Sequence, residues 1–338
     1  MKQKKVWEVC AVLMFGMQIL SGCKAGETAQ TEKIHVGVTY YNQSDTFLNE
    51  MLSSFREELK LAAGTSETTV TVLDAAGAQR TQDDQVKELI DMGCDVLCVN
   101  LVDRADPSEI IDLARDNDVP IIFFNREPVA EDLMQWDGLY YVGAEAKQSG
   151  IMQGELAAEV IRNNEKVDRN GDGKIQYVVL EGEAGHQDAI IRTGYAVDTL
   201  KNQGIMLEKL SYQIANWSRP QAQNRMEQMI GQYQNQIELV LANNDDMALG
   251  AIDAYKGANY TENTWPIFLG IDGTHVGLQA FLEGELAGTV YNDKEGQAEA
   301  MAHLAVEISD GTVHPEKYTY LPYIKITEEN VREFLERQ

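Results

Sequence analysis

Residues 94–125 read CDVLCVNLVDRADPSEIIDLARDNDVPIIFFN, and this stretch decides the fold. CDVLCVNLV is an unbroken apolar run, and VPIIFFN is a second one. Between them PSEIIDLARDND places apolar residues at helical spacing behind Pro107, which suits a first helical turn. Continuous apolar strands joined by an amphipathic helix indicate a parallel sheet covered on both faces. The same alternation extends outward. IHVGVTYY and TTVTVLDA precede it as strands, with LNEMLSSFREELKLAA and QRTQDDQVKELIDMG as helices. After DGLYYVGA the pattern restarts with SGIMQGELAAEVIRNN as helix and KIQYVVLEG as strand, and continues to a last extended piece, YTYLPYIKI. The expected class is α/β: two doubly wound, Rossmann-like parallel-sheet lobes joined by a hinge. The expected lobes are 33–143 plus 292–320 and 144–291 plus 321–338.

Composition narrows the function. The chain has 338 residues, with 28 Lys and Arg against 54 Asp and Glu, a formal charge of −26. Nucleic acid is excluded as a partner, because phosphate binding needs clustered positive charge. The N-terminus reads as an export segment. Lys2, Lys4 and Lys5 precede the apolar run from Val9 to Leu20, and Leu20-Ser21-Gly22 leads into Cys23. The run is short for a membrane span. Residues 1–22 are expected to be a lipoprotein signal, Cys23 the lipidated first residue, and 24–32 a polar tether. The alternative is an ordinary secretory signal. Cys94 and Cys98 then remain, in or beside one strand. Four residues along a strand span roughly 13 Å, beyond the reach of about 7 Å between Cα atoms for a disulfide, so both read as core thiols.

In open parallel sheets ligands sit beyond the carboxyl ends of the strands. Those ends carry Asp45 and Phe47, Asn100, Asn125, Asn243 and Asn244, Asp272, and Asn292 with Asp293. Asn and Asp both serve hydroxyls, and Lys and Arg are scarce here, so the set fits a sugar better than a phosphate. EGEAGHQDAIIR adds His186, Asp188 and Arg192, the last a planar fork for two ligand oxygens. Trp217 follows a later strand, and the apolar face of a sugar ring suits an aromatic wall there, with Phe47 opposite.

DRNGDGKIQ, residues 168–176, has the spacing of an EF-hand-type calcium loop. Asp168, Asn170 and Asp172 stand at positions 1, 3 and 5, Gly173 at 6, the Lys174 carbonyl at 7 and Gln176 at 9. Position 12, normally a bidentate Glu, is Val179, so the remaining oxygens must come from elsewhere. A polar turn without metal is the other reading.

The blocks VGVTYYNQSDTF, NLVD, VPIIFFNREP, YYVGA, NGDGKIQ, GEAGHQDAIIR, IELVLANND and LAGTVYND, in this order, resemble the periplasmic D-galactose/D-glucose-binding proteins of ABC importers, solute-binding proteins of the type I periplasmic-binding-protein fold. The resemblance covers nearly all of the chain after the tether. It implies a non-enzymatic, monomeric hexose-binding protein that hands D-galactose or D-glucose to ABC permease subunits. It implies that Asp45 meets the hydroxyl distinguishing the two sugars, that Asn125, His186, Asp188, Arg192, Asn244, Asp272 and Asn292 make the other polar contacts, and that Phe47 and Trp217 sandwich the ring. It implies structural Ca2+ at Asp168, Asn170, Asp172, Lys174 and Gln176, with Glu238 supplying the missing carboxylate. Gln187 stands where the family usually has Pro. With Cys23 lipidated, the protein would be exported and anchored on the outer face of the cell membrane, or periplasmic. A sugar sensor presenting its bound state to a membrane receptor or kinase is the alternative function. A glycoside hydrolase or a sugar-responsive repressor fits less well: the first needs a matched carboxylate pair, the second DNA-binding helices.

Overall fold

The computed structural model describes residues 33–337. The expected signal 1–22, Cys23 and the tether lie outside the described residues.

The first lobe begins with β1 (Lys33–Tyr40), α1 (Thr46–Ala62), β2 (Glu67–Asp74), α2 (Gln79–Asp91), β3 (Val96–Val99), α3 (Ser108–Asp116), β4 (Ile121–Phe124), α4 (Ala130–Leu133) and β5 (Leu139–Ala144). The second follows as α5 (Ala146–Asn163), β6 (Ile175–Glu181), α6 (Gln187–Asn202), β7 (Leu207–Ile214), α7 (Arg219–Tyr233), β8 (Leu239–Ala242), α8 (Asp245–Gly257), β9 (Ile267–Leu269), α9 (His275–Leu282) and β10 (Val290–Asn292). The chain then returns through α10 (Lys294–Ile308), β11 (Tyr318–Leu321), β12 (Tyr323–Lys325) and α11 (Val331–Glu336).

The first sheet runs β11-β5-β4-β3-β1-β2 and every pair is parallel. The second runs β7-β6-β8-β9, also parallel. β10 continues it through single bridges, Leu269 to Gly288 and Asp272 to Tyr291, and pairs antiparallel with β12. Central strands β3 and β4 are buried throughout, whereas the edge strands β2 and β7 are only half covered. That is why the central strands read as unbroken apolar runs and the edge strands alternate. Helix α10 folds back onto α1, so Met301, Ala302 and Ile308 complete the core of the first lobe.

YTYLPYIKI is not one extended piece. Pro322 separates β11, which pairs with β5 in the first lobe, from β12, which pairs with β10 in the second. Proline has no N–H to give a ladder, so the chain changes sheet there. Helix α11 has no counterpart in the pattern reading. Its Val331 and Phe334 are buried, with the Phe334 ring 4.3 Å from that of Tyr291.

The chain thus crosses between lobes near residues 145, 293 and 322. Away from those crossings the lobes touch directly. Thr46 Oγ1 donates to Asp246 at 2.7 Å, the His275 N–H donates to Glu50 at 3.2 Å, and Arg126 pairs with Glu183 at 3.0 Å. Trp217 packs against the cores of both lobes.

Candidate ligand-binding cleft

Nine of the ten side chains expected at the ligand site line one narrow space between the lobes: Asp45, Phe47, Asn125, His186, Asp188, Arg192, Trp217, Asn244 and Asp272. Each follows a strand's carboxyl end or opens the next helix. Asp45 caps α1, its Oδ1 accepting from the Leu48 N–H at 2.9 Å while Oδ2 accepts from the Tyr41 hydroxyl at 2.7 Å. Asn244 caps α8 by accepting from the Met247 N–H at 3.0 Å. His186 caps α6: its Nδ1 accepts from the Asp188 N–H at 3.2 Å, which leaves the ring proton on Nε2. Burial, together with the nearby guanidinium groups of Arg126 and Arg192, pushes the His186 pKa far down, so the ring is neutral.

Arg192 organises the second lobe's wall. It is 4% exposed, and Nη1 donates to the Asn243 carbonyl at 2.8 Å and lies 3.5 Å from Asp272, while Nη2 donates to the Tyr323 hydroxyl at 3.0 Å. Its Nε is buried without a partner. Burial raises the pKa of Asp188 and pushes that of Asp272 well above the ordinary carboxylate value, with Arg192 opposing in both. The set therefore offers buried acceptors around a fixed cation with one donor unspent.

The aromatic walls come from different lobes. Phe47 is buried in the first lobe's core, and the Trp217 ring meets that of His186 edge-on at 5.2 Å. A Cβ on Gly182 would collide with the Trp217 ring, so a glycine at the end of β6 makes room for it. Three wall residues sit at positive φ: Asn125 at 60°, Trp217 at 60° and Asp272 at 112°. Such backbone costs about 1–3 kcal/mol per residue and collects where geometry serves a ligand.

Asn292 does not line the cleft. It is 2% exposed, accepts from Gln297 Nε2 at 2.7 Å, and donates its N–H to the Asp272 carbonyl. The other polar strand ends also have internal work. Asn100 donates to the Phe124 carbonyl and accepts from the Tyr41 N–H, Asn243 accepts from the Gly182 N–H, and Asp293 caps α10. Two lining residues escaped the sequence reading, Tyr41 and Arg126. Arg126 directly follows Asn125 at the end of β4, and Tyr41 lies one residue past β1 with its hydroxyl on Asp45. The Arg126 guanidinium lies 3.6 Å over the Tyr41 ring.

At the opposite end of β6, the loop 168–176 is held by short-range bonds. Asp168 accepts from the N–H groups of Gly171 and Gly173, Asn170 from that of Asp172, and Asp172 from that of Lys174. The Asn170 and Gln176 amides face Asp172. Glu238 arrives from just before β8, 2% exposed, with its two oxygens accepting the N–H groups of Arg169 and Gln176. Among the described residues no group of three or more His, Cys, Asp or Glu side chains is placed to hold a metal. The loop's donors are carboxylate, amide and carbonyl oxygens only, the chemistry of a hard cation, and turning the two amides over would present their oxygens inward. Cys94 and Cys98 are free and buried, and burial pushes both thiols up.

Comparison with known proteins agrees with this architecture. A family model described as a periplasmic binding protein domain matches residues 36–312. The D-galactose/methyl-galactoside binding periplasmic protein of Haemophilus influenzae is 36% identical over 309 residues, 89% of this chain and 91% of that protein. A putative rhizopine-binding protein of Rhizobium meliloti is 31% identical over 77% of this chain and 80% of its own length. Among solved structures, an ABC transporter solute-binding protein of Bacillus halodurans with bound myo-inositol superposes with a TM-score of 0.76 at 30% identity, covering 92% of this chain and all of that one. With two parallel-sheet lobes around a shared polar cleft, the chain belongs to the periplasmic binding protein family.

Proposed function

We propose that this protein binds D-galactose or D-glucose in the interlobe cleft and delivers it to the permease of an ABC importer. It is a binding protein and not an enzyme, as its family membership entails. The observation that carries the sugar reading is Arg192: a buried guanidinium with one N–H unspent, ringed by Asp188, Asp272 and Asn244 between two aromatic walls. A buried unmet donor costs about 1–3 kcal/mol, and a ligand oxygen removes that cost. The relative from Haemophilus is named for galactose and methyl-galactoside, which favours hexose. Another similar protein is named for rhizopine and a third carries bound myo-inositol, so the cleft's own side chains must set the choice. Asp45, at the first-lobe end of the space, would accept from the hydroxyl that differs between the two hexoses. Because contacts come from both lobes, sugar favours the closed arrangement, the state a permease would recognise.

Ca2+ in the 168–176 loop, held by Asp168, Asn170, Asp172, the Lys174 carbonyl, Gln176 and Glu238, is the second part of this reading. The ion would be structural, since the loop lies at the far end of β6 from the cleft. Export with a lipid on Cys23 is the third, and loss of fatty-acid labelling in Cys23→Ala tests it. The deciding experiment is calorimetric titration with glucose, galactose, ribose and xylose. Tight binding of a hexose is expected. Tight binding of a pentose with neither hexose bound would overturn the assignment.

A further inference from the structure

The cleft holds a second space. Toward solvent from the sugar pocket lies a chamber of about 440 Å3, comparable to small-molecule sites in general. The two spaces share three walls, Tyr41, Arg126 and His186. The chamber's other walls come from both lobes, notably Gln79, Asp103 and Arg104 on one side and Glu183 to Gly185 on the other.

We propose that this outer chamber receives a neutral polar substituent on the bound hexose, so that the ligands include glycosides carrying a second sugar or a polyol. The proposal rests on the hexose reading of the inner pocket. Three observations carry it. First, the inner pocket is closed on its far sides by side chains with almost no exposure, Phe47 at 4%, Arg192 at 4% and Asp272 at 5%. A substituent too large for the pocket therefore has its exit past Tyr41, Arg126 and His186. Second, the chamber's charges are already balanced. The walls carry Arg104 and Arg126 against Asp103 and Glu183, so their formal charges cancel; Arg126 is paired with Glu183 at 3.0 Å, and Arg104 Nε donates to the Glu127 carbonyl at 2.6 Å. With no net positive charge on its walls the space does not favour a phosphate or carboxylate, whereas mixed donors and acceptors suit hydroxyls. Third, the backbone stands clear of the space. Gly77 and Gly185, at φ of 74° and 77°, line it, and a Cβ on either would meet nothing within 4 Å. Arg126, over the Tyr41 ring and reaching Glu183 across the cleft, forms the partition between sugar and substituent.

The test is calorimetry on the full chain and on Ala184→Trp, with galactose, glucose, lactose and melibiose. Ala184 is exposed and lines the chamber but not the inner pocket, so the bulk fills one space only. The unmodified protein should bind a monosaccharide, and at least one disaccharide within about tenfold of it. Ala184→Trp should keep monosaccharide affinity within about twofold and weaken the disaccharide by at least about tenfold. Monosaccharide binding with neither disaccharide bound would overturn the chamber's role and leave the hexose reading standing. Disaccharide binding untouched by Ala184→Trp would also overturn it. Absence of binding by all four sugars would remove the hexose reading itself.

Discussion

The two ends of β6 solve different problems. At its amino end, loop 168–176 is built from contacts two to five residues apart, and Glu238 is the remote carboxylate that joins it. At its carboxyl end, the cleft draws side chains from residue 41 to residue 272, from both lobes, most of them buried. The loop is local, partly exposed and bonded within itself. The cleft is non-local, backbone-strained and left with an unmet donor on Arg192. A local oxygen cage can be written in nine consecutive residues. A site that must hold a ligand and also sense closure needs surfaces that meet only after folding.

The largest test of this contrast is Arg192→Ala. It strands buried Asp272 without its partner and should cost about 3–5 kcal/mol of folding stability, read by urea unfolding, together with loss of detectable sugar binding by calorimetry. Retained sugar affinity would break the account of the cleft. The loop should behave oppositely. Glu238→Ala removes the acceptor for two N–H groups and should lower stability by about 1–3 kcal/mol while sugar affinity stays within about threefold. Chelation should likewise lower the melting temperature of the unmodified protein, and lower it less in Glu238→Ala. A large fall in sugar affinity on chelation would mean that the two ends of β6 are coupled.

The smallest effect concerns pH. Burial, with Asp45 and Glu50 across the interface, pushes Asp246 up to about 6. Opening the lobes would break the Thr46 bond, which lowers the Asp246 pKa, but would also rehydrate the carboxyl and move it from Asp45 and Glu50. Burial is the largest of these effects, so the closed form holds the proton more tightly and closure takes one up. Sugar affinity should therefore rise modestly, by up to about threefold, as pH falls from about 8 to about 5.5. The same sign applies to folding: stability from this carboxyl is present below its unfolded value, near 4, and is lost as pH rises through about 6. Asp246→Asn should flatten the affinity profile, and an unchanged slope would rule this group out.

Much of this was legible in the chain. Unbroken apolar strands such as Ile121–Phe124 and the helical spacing of 108–116 announce a covered parallel sheet, because burial on both faces leaves no polar positions to alternate. Asp45, Asn244 and His186 were legible because a helix start after a strand end is fixed by order along the chain. Arg126 and Tyr41 were not, since their value lies in stacking on each other and in reaching Glu183. The partner of Asn292 was not legible either: its strand end is in the expected place, and its side chain accepts there from Gln297, on the helix that follows.

The sequence by itself determined the α/β alternation, the two successive sheets, the oxygen-rich loop and the Asn/Asp character of the strand ends. These depend on periodicity, turn chemistry and residue type, which neighbours in the chain encode. Only the tertiary structure decided the split of 318–325 between two sheets, the Arg126–Glu183 partition, the seat of Trp217 against both lobes and the spare donor of Arg192. Each of those depends on which distant groups exclude water from one another, and that is settled when the lobes pack.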